Sequence, residues 1–216
     1  MWARRVRRGL IAALLGALAF SGWTAWREWR AEQIEAMAHR LVAAVVAPGA
    51  EARLDSLIRA CGVQCPARGL EAAAAAKAAL AARASGEERL ALYAEAELLA
   101  RRGLARNPVS AEGWARLAMI LSERAGGAPS PLAVGALRTS YSAAPFSRGA
   151  AVWRIGFCAS HWPIIEPGLR RHAVDELVWL AGVDRSLAEH LVAQIQDDTA
   201  KFAFGLALSV RAKPAN

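Results

Sequence analysis

The chain has few of the residues that build catalytic or metal sites, with four histidines and three cysteines among 216 residues. It also lacks a phosphate-binding glycine loop, a nucleophile elbow and a paired-histidine metal motif. Zinc sites need closer cysteine spacing and a second pair of ligands, and neither is visible. The sequence therefore predicts a protein without a catalytic site, a metal or a cofactor.

One group of titratable residues leaves an enzymatic alternative open. His172, Asp175 and Glu176 fall on one face of a predicted helix, where they could hold a base or a metal. Neighbouring histidines and carboxylates on a helix usually form a solvated face instead. The alternative is a periplasmic helical enzyme or ligand-binding subunit that uses these three residues, and a deep polar cleft around them would favour it.

The alternation of apolar and polar residues that is typical of strands is absent after residue 30. Several segments instead repeat apolar residues every three or four positions, which predicts helices. Hydrophobic residues make up 55% of the chain, and its mean hydropathy of +0.20 excludes disorder. We therefore expect an all-α fold.

The N-terminus has the pattern of a membrane anchor. No ionisable side chain occurs in residues 9–26, a stretch of roughly 27 Å as a helix. Indoles that prefer the headgroup level, Trp23 and Trp26, lie at its far end. Four basic residues precede it: Arg4, Arg5, Arg7 and Arg8. The positive-inside bias then predicts residues 1–30 as a cytoplasmic flank and transmembrane anchor, and residues 31–216 as a periplasmic helical domain of a bacterial inner-membrane protein.

A cleavable signal peptide is the competing interpretation of the same segment. Residues 17–19 have the small-x-small form that signal peptidase accepts. Apolar, helix-compatible residues continue through Ala25, however, and an amphipathic stripe follows from residue 31 with no intervening proline. We therefore expect the anchor helix to continue into the exported domain.

The net charge of +8 suggests nucleic-acid binding at first sight. Half of it comes from the four N-terminal arginines, which the topology explains. The remaining basic residues alternate with glutamates along helices and form no basic stripe with interleaved aromatics. We therefore expect no nucleic-acid partner.

The cysteines allow two interpretations. Cys61 and Cys65 could form a disulfide across a broken helix end, as suits an exported protein. They could equally be two small buried thiols at a helix contact. Cys158 is expected in the core.

The helix boundaries are predicted from caps and breakers. Ser85, Ser110 and Ser130 are expected N-caps, with a capping box at Ser85. The final helix is expected to run from about Asp184 to Ser209.

Part of the chain resembles the tetratricopeptide repeat family. The residues that match its first helix and the helices on either side are Ala96, Pro108, Trp114, Leu117, Ala118, Leu121, Ala133, Leu137 and Pro145. The likeness covers about residues 86–160 and one and a half to two repeats. It implies a short array of antiparallel helical hairpins with capping helices, and Trp114 is expected to be mostly buried.

The resemblance also implies a function. Proteins of this kind bind other proteins in a groove lined by the first helices of successive hairpins. Glu112, Arg116 and Arg154 are the expected partner-binding residues, since each lies on a first helix beside core positions. Residues 161–177 are similar to small repeat-like proteins encoded with bacterial envelope polysaccharide genes. The expectation is a non-enzymatic scaffold that holds a protein partner in or near the inner membrane, within a cell-envelope or polysaccharide biosynthesis or export system.

Overall fold

A computed structural model describes the backbone of residues 2–43 and 49–211, and the side chains of residues 13–43 and 49–210. This part of the chain is helical and contains no strand, so the predicted all-α class is confirmed. The helices are α1 (Trp2–Val42), α2 (Ala50–Cys61), α3 (Ala67–Ala81), α4 (Gly86–Leu104), α5 (Ala111–Arg124), α6 (Pro131–Ala143), α7 (Arg148–Ser160), α8 (Pro167–Val183), α9 (Arg185–Gln194) and α10 (Asp198–Arg211).

The first helix is continuous from the N-terminal segment into the domain, as expected. Its side chains are exposed from residue 13 to residue 23, and the first buried one is Ala31. From there Ile34, Ala38 and Leu41 are buried against the rest of the bundle. The helix therefore has a free half and a packed half.

The predicted membrane span lies partly outside the described side chains. Those of Arg4, Arg5, Arg7, Arg8 and residues 9–12 are not among them. Among the side chains that are described, no helix combines the length and the apolar character needed to cross a bilayer.

The middle of the chain forms three helical hairpins. Each is a pair of consecutive helices in contact, α3 with α4, α5 with α6, and α7 with α8. The first helices also contact one another in sequence, α3 with α5 and α5 with α7. Alanines and glycines allow close approach: a Cβ on Gly103 of α4 would lie 3.5 Å from the carbonyl oxygen of Ala67 in α3. The result is a row of first helices along one side of the domain.

The predicted single C-terminal helix is wrong, because the structure divides it into α9 and α10. The break needs neither glycine nor proline. Asp197 starts α10 by accepting a hydrogen bond from the backbone N–H of Ala200 at 2.8 Å. Phe204 is fully buried on α10, whereas Phe202, Leu206 and Val210 are exposed, so only one face of this helix is covered within the described residues.

Two of the three predicted serine caps are confirmed. The Ser110 hydroxyl accepts from the N–H of Gly113 at 3.0 Å, and that of Ser130 accepts from Ala133 at 3.2 Å. Ser85 precedes α4 but makes no capping hydrogen bond, so the predicted capping box is wrong. Gly86 follows it with a φ of 56°, which takes the start of this helix out of the usual cap geometry.

Candidate partner-binding groove

A cavity of about 440 Å³ lies along the row of first helices. Its floor comes from small side chains of α3 and from Ala115 and Met119 of α5, and Trp153 of α7 forms one wall. The α3 residues are Ala75, Ala78 and Ala79, and Ala82 follows directly after the end of this helix. Because the alanine side chains are small, the helices leave an apolar channel between them.

A second cavity, of about 540 Å³, continues the first toward α9. Met119, Glu123, Gly149 and Trp153 line both, so the two are one surface feature. The continuation adds Phe157 of α7 and Leu191 of α9. We call the combined feature the groove.

One acidic group in the groove is held by its neighbours. The carboxylate of Glu123 accepts from Arg89 at 3.2 Å and from the hydroxyl of Tyr93 at 3.4 Å. Burial raises the pKa of Tyr93, and the Glu123 carboxylate raises it further, so the phenol stays protonated. This cluster joins α4 to α5 at the wall of the groove.

Glu112 is exposed and lines the groove, as its predicted role requires. Its carboxylate lies at the N-terminus of α7, 3.4 Å from the hydroxyl of Ser147. A Cβ on Gly149 would overlap that carboxylate. A negative charge is favourable at a helix N-terminus, so Glu112 also helps to join the second hairpin to the third.

Arg116 lines the groove but is half-buried, and its guanidinium donates to the carbonyl oxygen of Glu71 at 2.8 Å. Burial lowers the pKa of Arg116, while the carboxylates of Glu71 and Glu112 act in the opposite direction. Burial likewise raises the pKa of Glu71. Arg116 therefore ties α5 to α3 and offers less free charge than the sequence suggested.

The expectation that Arg154 is an exposed partner-binding residue is wrong. Its side chain is fully buried and paired with the carboxylate of Glu176 on α8, which is also fully buried. Its Nε lies 3.1 Å from Glu176 Oε2, and its Nη1 donates to Ser140 Oγ at 3.2 Å and to the carbonyl oxygen of Ala144 at 3.0 Å. The physical reason is that a buried carboxylate on the next helix neutralises the arginine and compensates for its desolvation.

Two neutral groups border this ion pair. The guanidinium carbon of Arg154 lies 4.3 Å from the ring centroid of Tyr141. Burial raises the pKa of Cys158 to about 12, and burial also raises the pKa of Tyr141. Both groups therefore stay protonated, and the cluster joins α6, α7 and α8 as part of the core.

The three residues of the enzymatic alternative do not share one exposed surface. His172 and Asp175 are exposed on α8, whereas Glu176 faces the interior and is held by Arg154 and by the backbone N–H of Ser147 at 3.4 Å. The His172 ring stacks on Tyr141, with centroids 5.1 Å apart. The carboxylate that was expected to act with His172 is thus used in the core. Over the described residues, no group of histidine, cysteine and carboxylate side chains is arranged to hold a metal ion.

The alanine-rich helix α3 holds a buried cation that the sequence pattern did not predict. Lys77 of α3 is 2% exposed, and its Nζ contacts three carboxylates. These are Glu51 at 3.1 Å, Asp55 at 2.8 Å and Glu95 at 2.8 Å. Burial alone would lower the pKa of Lys77, but the hydrogen bonds to the carboxylates raise it above its ordinary value. A single lysine among alanines was the available signal, since a flexible cation there can join α2, α3 and α4.

Of the two interpretations of the close cysteine pair, the structure has the disulfide: Cys61 and Cys65 are joined, with their Cα atoms 4.9 Å apart. The bridge closes the end of α2 and a short 3-10 turn, Gly62–Gln64, just before α3. Cys158 is a buried free thiol.

The tryptophans of the predicted belt are partly exposed and lie beside cations. Trp23 is 39% exposed and Trp26 is 41% exposed. The guanidinium of Arg27 lies 4.7 Å from the Trp23 ring centroid, and that of Arg30 lies 5.0 Å from that of Trp26. An indole beside an arginine is an amphipathic pair suited to a surface that is apolar on one side and charged on the other.

Trp114 is partly buried and most of its surface is covered, as expected. It packs against the core, and its Nε1 donates to the carbonyl oxygen of Pro108 at 2.8 Å. The indole therefore covers the turn that precedes α5 and keeps its N–H near the surface.

Comparison with known proteins gives no relative. No protein-family model matches the chain, and neither the curated proteins nor the solved structures contain a significant match.

Proposed function

We propose that this protein is a non-enzymatic, membrane-anchored scaffold whose tetratricopeptide-like domain binds a protein partner in the groove. The observation that carries the proposal is the position of the groove along α3, α5 and α7, the first helices of the three hairpins. Repeat proteins of helical hairpins use that surface for partners. A place in an envelope or polysaccharide assembly system is part of the proposal.

The chemistry of the groove suits a peptide segment with apolar and basic side chains. Its floor is made of alanines and Met119, and Trp153 supplies a large partly buried wall. Glu112 adds an exposed carboxylate at the rim. Aromatic anchors in a partly apolar depression give affinity, and rim charges set encounter and specificity.

The anchoring part of the proposal is supported by the two halves of α1. The packed half fixes the helix rigidly to the domain, and the free half carries exposed Leu14, Leu15, Leu18 and Phe20 ahead of the tryptophans. An exposed apolar segment of this kind needs a covering surface, and a bilayer provides one. In this proposal the N-terminus is cytoplasmic and the helical domain is periplasmic in the bacterial inner membrane.

Anchoring and topology are tested together. A reporter that is active only in the periplasm, fused after Asn216, should be active, and the protein should stay with membranes after alkaline washing. Release by the wash together with a shortened N-terminus would show a cleaved signal peptide instead of an anchor.

The groove is tested by the capture of proteins from solubilised membranes. Met119→Asp and Trp153→Ala should weaken recovery of a partner that the parent chain retains, because both alter the apolar lining. Leu98→Asp is the matched control, since Leu98 is a 60% exposed residue of α4 that does not line the groove. Equal loss with Leu98→Asp, or no loss with either groove variant, would contradict the proposal.

A further inference from the structure

We propose that the end of the helical domain from which α1 projects is a lipid-contacting surface, which rests on the headgroups of an anionic bilayer. The proposal depends on the anchoring of α1 proposed above. In addition, the domain itself contacts the membrane through several connections between consecutive helices. These connections are far from one another in sequence.

The direction of α1 identifies this end of the domain. Ala31 of α1 lies against Gly69 near the start of α3, where a Cβ would be 3.4 Å from the Ala31 Cα. The carbonyl oxygen of Val42 accepts from Arg83, just after the end of α3, at 3.1 Å. The two helices therefore run parallel, and the free half of α1 extends beyond the start of α3.

The connections α2–α3, α4–α5 and α6–α7 lie at this same end of the domain. The turn after α2 is joined to the end of α4, because Arg102 donates to the carbonyl oxygen of Gly62 at 3.0 Å and Arg106 donates to that of Val63. The start of α5 is joined to α6, because Ser140 donates to the carbonyl oxygen of Ala111 at 2.6 Å.

The row continues to the start of α7 and the end of α8. Arg148 lies 3.6 Å from Asp184, and the Phe146 ring stacks on Trp179 with centroids 5.7 Å apart. Every second connection, α2–α3, α4–α5, α6–α7 and α8–α9, thus belongs to one surface that starts beside α1. We call it the anchor end.

The first three of these connections each carry an exposed apolar side chain, and the fourth follows one at the end of α8. They are Val63 (81% exposed), Val109 (74%), Phe146 (47%) and Val183 (51%). At the opposite end, the connections at 82–85 and 125–130 have no large exposed apolar residue of their own, whereas Leu132 in the first turn of α6 is 66% exposed and Ile164 in the connection at 161–166 is 69% exposed. One exposed valine is ordinary, but four exposed apolar side chains lie at the anchor end, and a lipid surface would cover them. We call these four side chains the tips.

The position of the Val63 turn along α1 agrees with the level of the lipid headgroups. The Arg27 guanidinium donates to the carbonyl oxygen of Gln64 at 3.1 Å, so the turn that carries Val63 lies beside residue 27. Trp23 is four residues earlier, roughly 6 Å along the helix axis. Indoles in membrane proteins prefer the headgroup level, so an anchored α1 brings the Val63 turn to the same layer.

Charge selects the lipid class. Exposed arginines surround the tips at Arg59, Arg106, Arg148 and Arg185. The facing carboxylates are Glu28, which pairs with Arg68, Glu112 at the start of α7, Asp184 beside Arg148, and Glu189 beside Arg185. Arg59 and Arg106 have no carboxylate partner among the ion pairs of the described residues, and Arg106 donates only to the backbone carbonyl oxygens of Arg102 and Val63, so the two positive charges are not neutralised and attract lipid phosphates.

The test places a fluorophore at each end of the full-length chain. Val109→Cys and Phe146→Cys probe the anchor end, and Ile164→Cys is the matched control at the opposite end. Cys158 is buried and the other two cysteines are joined, so a thiol-reactive bimane reaches the introduced position. The labelled proteins are reconstituted into phosphatidylglycerol vesicles that contain a nitroxide-labelled lipid, and flotation reports attachment.

We expect the nitroxide lipid to reduce fluorescence by about half at positions 109 and 146, and to leave position 164 nearly unchanged. Replacing phosphatidylglycerol with phosphatidylcholine should weaken the quenching while the protein still floats. Protein that floats with all three positions equally quenched or equally unquenched overturns the lipid-contacting surface and leaves anchoring intact. Equal quenching in both lipids overturns the anionic assignment. Protein that fails to float overturns anchoring and this proposal together.

Discussion

Removing one member of the buried ion pair between Arg154 and Glu176 should destabilise the domain unequally, depending on which member is removed. Glu176→Leu leaves a guanidinium buried with two neutral acceptors, Ser140 Oγ and the carbonyl oxygen of Ala144. Arginine cannot lose its proton to relieve this. We therefore expect a cost of about 3–5 kcal/mol, as is usual when a buried charge loses its partner.

Arg154→Met should cost less, about 2 kcal/mol, because the remaining carboxyl can take up a proton. Burial already raises the pKa of Glu176 even with Arg154 beside it. A protonated Glu176 keeps one acceptor oxygen for the N–H of Ser147. The double variant, with Arg154→Met and Glu176→Leu, should be within about 1 kcal/mol of the parent chain, since it buries neither charge.

The assay is thermal unfolding of the purified full-length chain followed by circular dichroism. In a domain of this size each kcal/mol shifts Tm by about 2–4 °C, so Glu176→Leu should lower Tm by roughly 6–20 °C. If Glu176→Leu melts within about 2 °C of the parent chain, or if Arg154→Met is the more destabilised of the two, the buried guanidinium does not depend on Glu176 for its compensation.

The Arg154→Met variant should also lose stability as the pH rises. Its folded-state pKa at Glu176 lies above the ordinary value of 4.5, because burial opposes ionisation and the cation is gone. Above pH 4.5 the unfolded chain releases this proton first, so the folded state binds more protons and its stability falls with rising pH. Stability that is independent of pH, or that increases between pH 4.5 and pH 7, would show that Glu176 stays ionised.

Three further predictions concern the rest of the domain. Lys77→Ala should cost about 2–4 kcal/mol and Lys77→Met clearly less, because methionine refills the buried space of the lysine stem; equal costs would mean that packing is unimportant there. Ser110→Ala should cost about 1 kcal/mol in chemical denaturation, and Ser85→Ala much less, because Ser110 alone of the two makes a capping hydrogen bond; the reverse order would contradict the cap assignment. Alkylation of the denatured, unreduced protein should modify one cysteine, Cys158, and all three after reduction, as mass spectrometry would detect; three modified cysteines without reduction would show that the disulfide is absent.

The sequence was a good guide to helices because helix signals are local. The apolar periodicity and the caps at Ser110 and Ser130 placed most boundaries within a few residues. The break between α9 and α10 was missed because no proline or glycine marks it. Asp197 was the available signal, since an aspartate at an N-cap can start a new helix.

The candidate site was harder to predict, because burial depends on partners that are distant in sequence. Arg154 and Glu112 look alike in the pattern, as charged residues beside core positions on first helices. Arg154 is buried because Glu176, 22 residues later in the chain, pairs with it. No periodicity within a single helix contains that information, and the same holds for Lys77 and its three carboxylates.

The proposed binding of a protein partner in the groove beside the membrane can be tested by site-specific photocrosslinking in intact cells. A photoreactive amino acid at Met119, inside the groove, should give a discrete crosslinked product in the membrane fraction, and one at Leu98 of α4 should give none. The product from position 119 should decrease when Trp153→Ala is added. A product of equal yield from position 98, or none from position 119 in cells where the chain is folded and membrane-bound, would show that no partner occupies the groove.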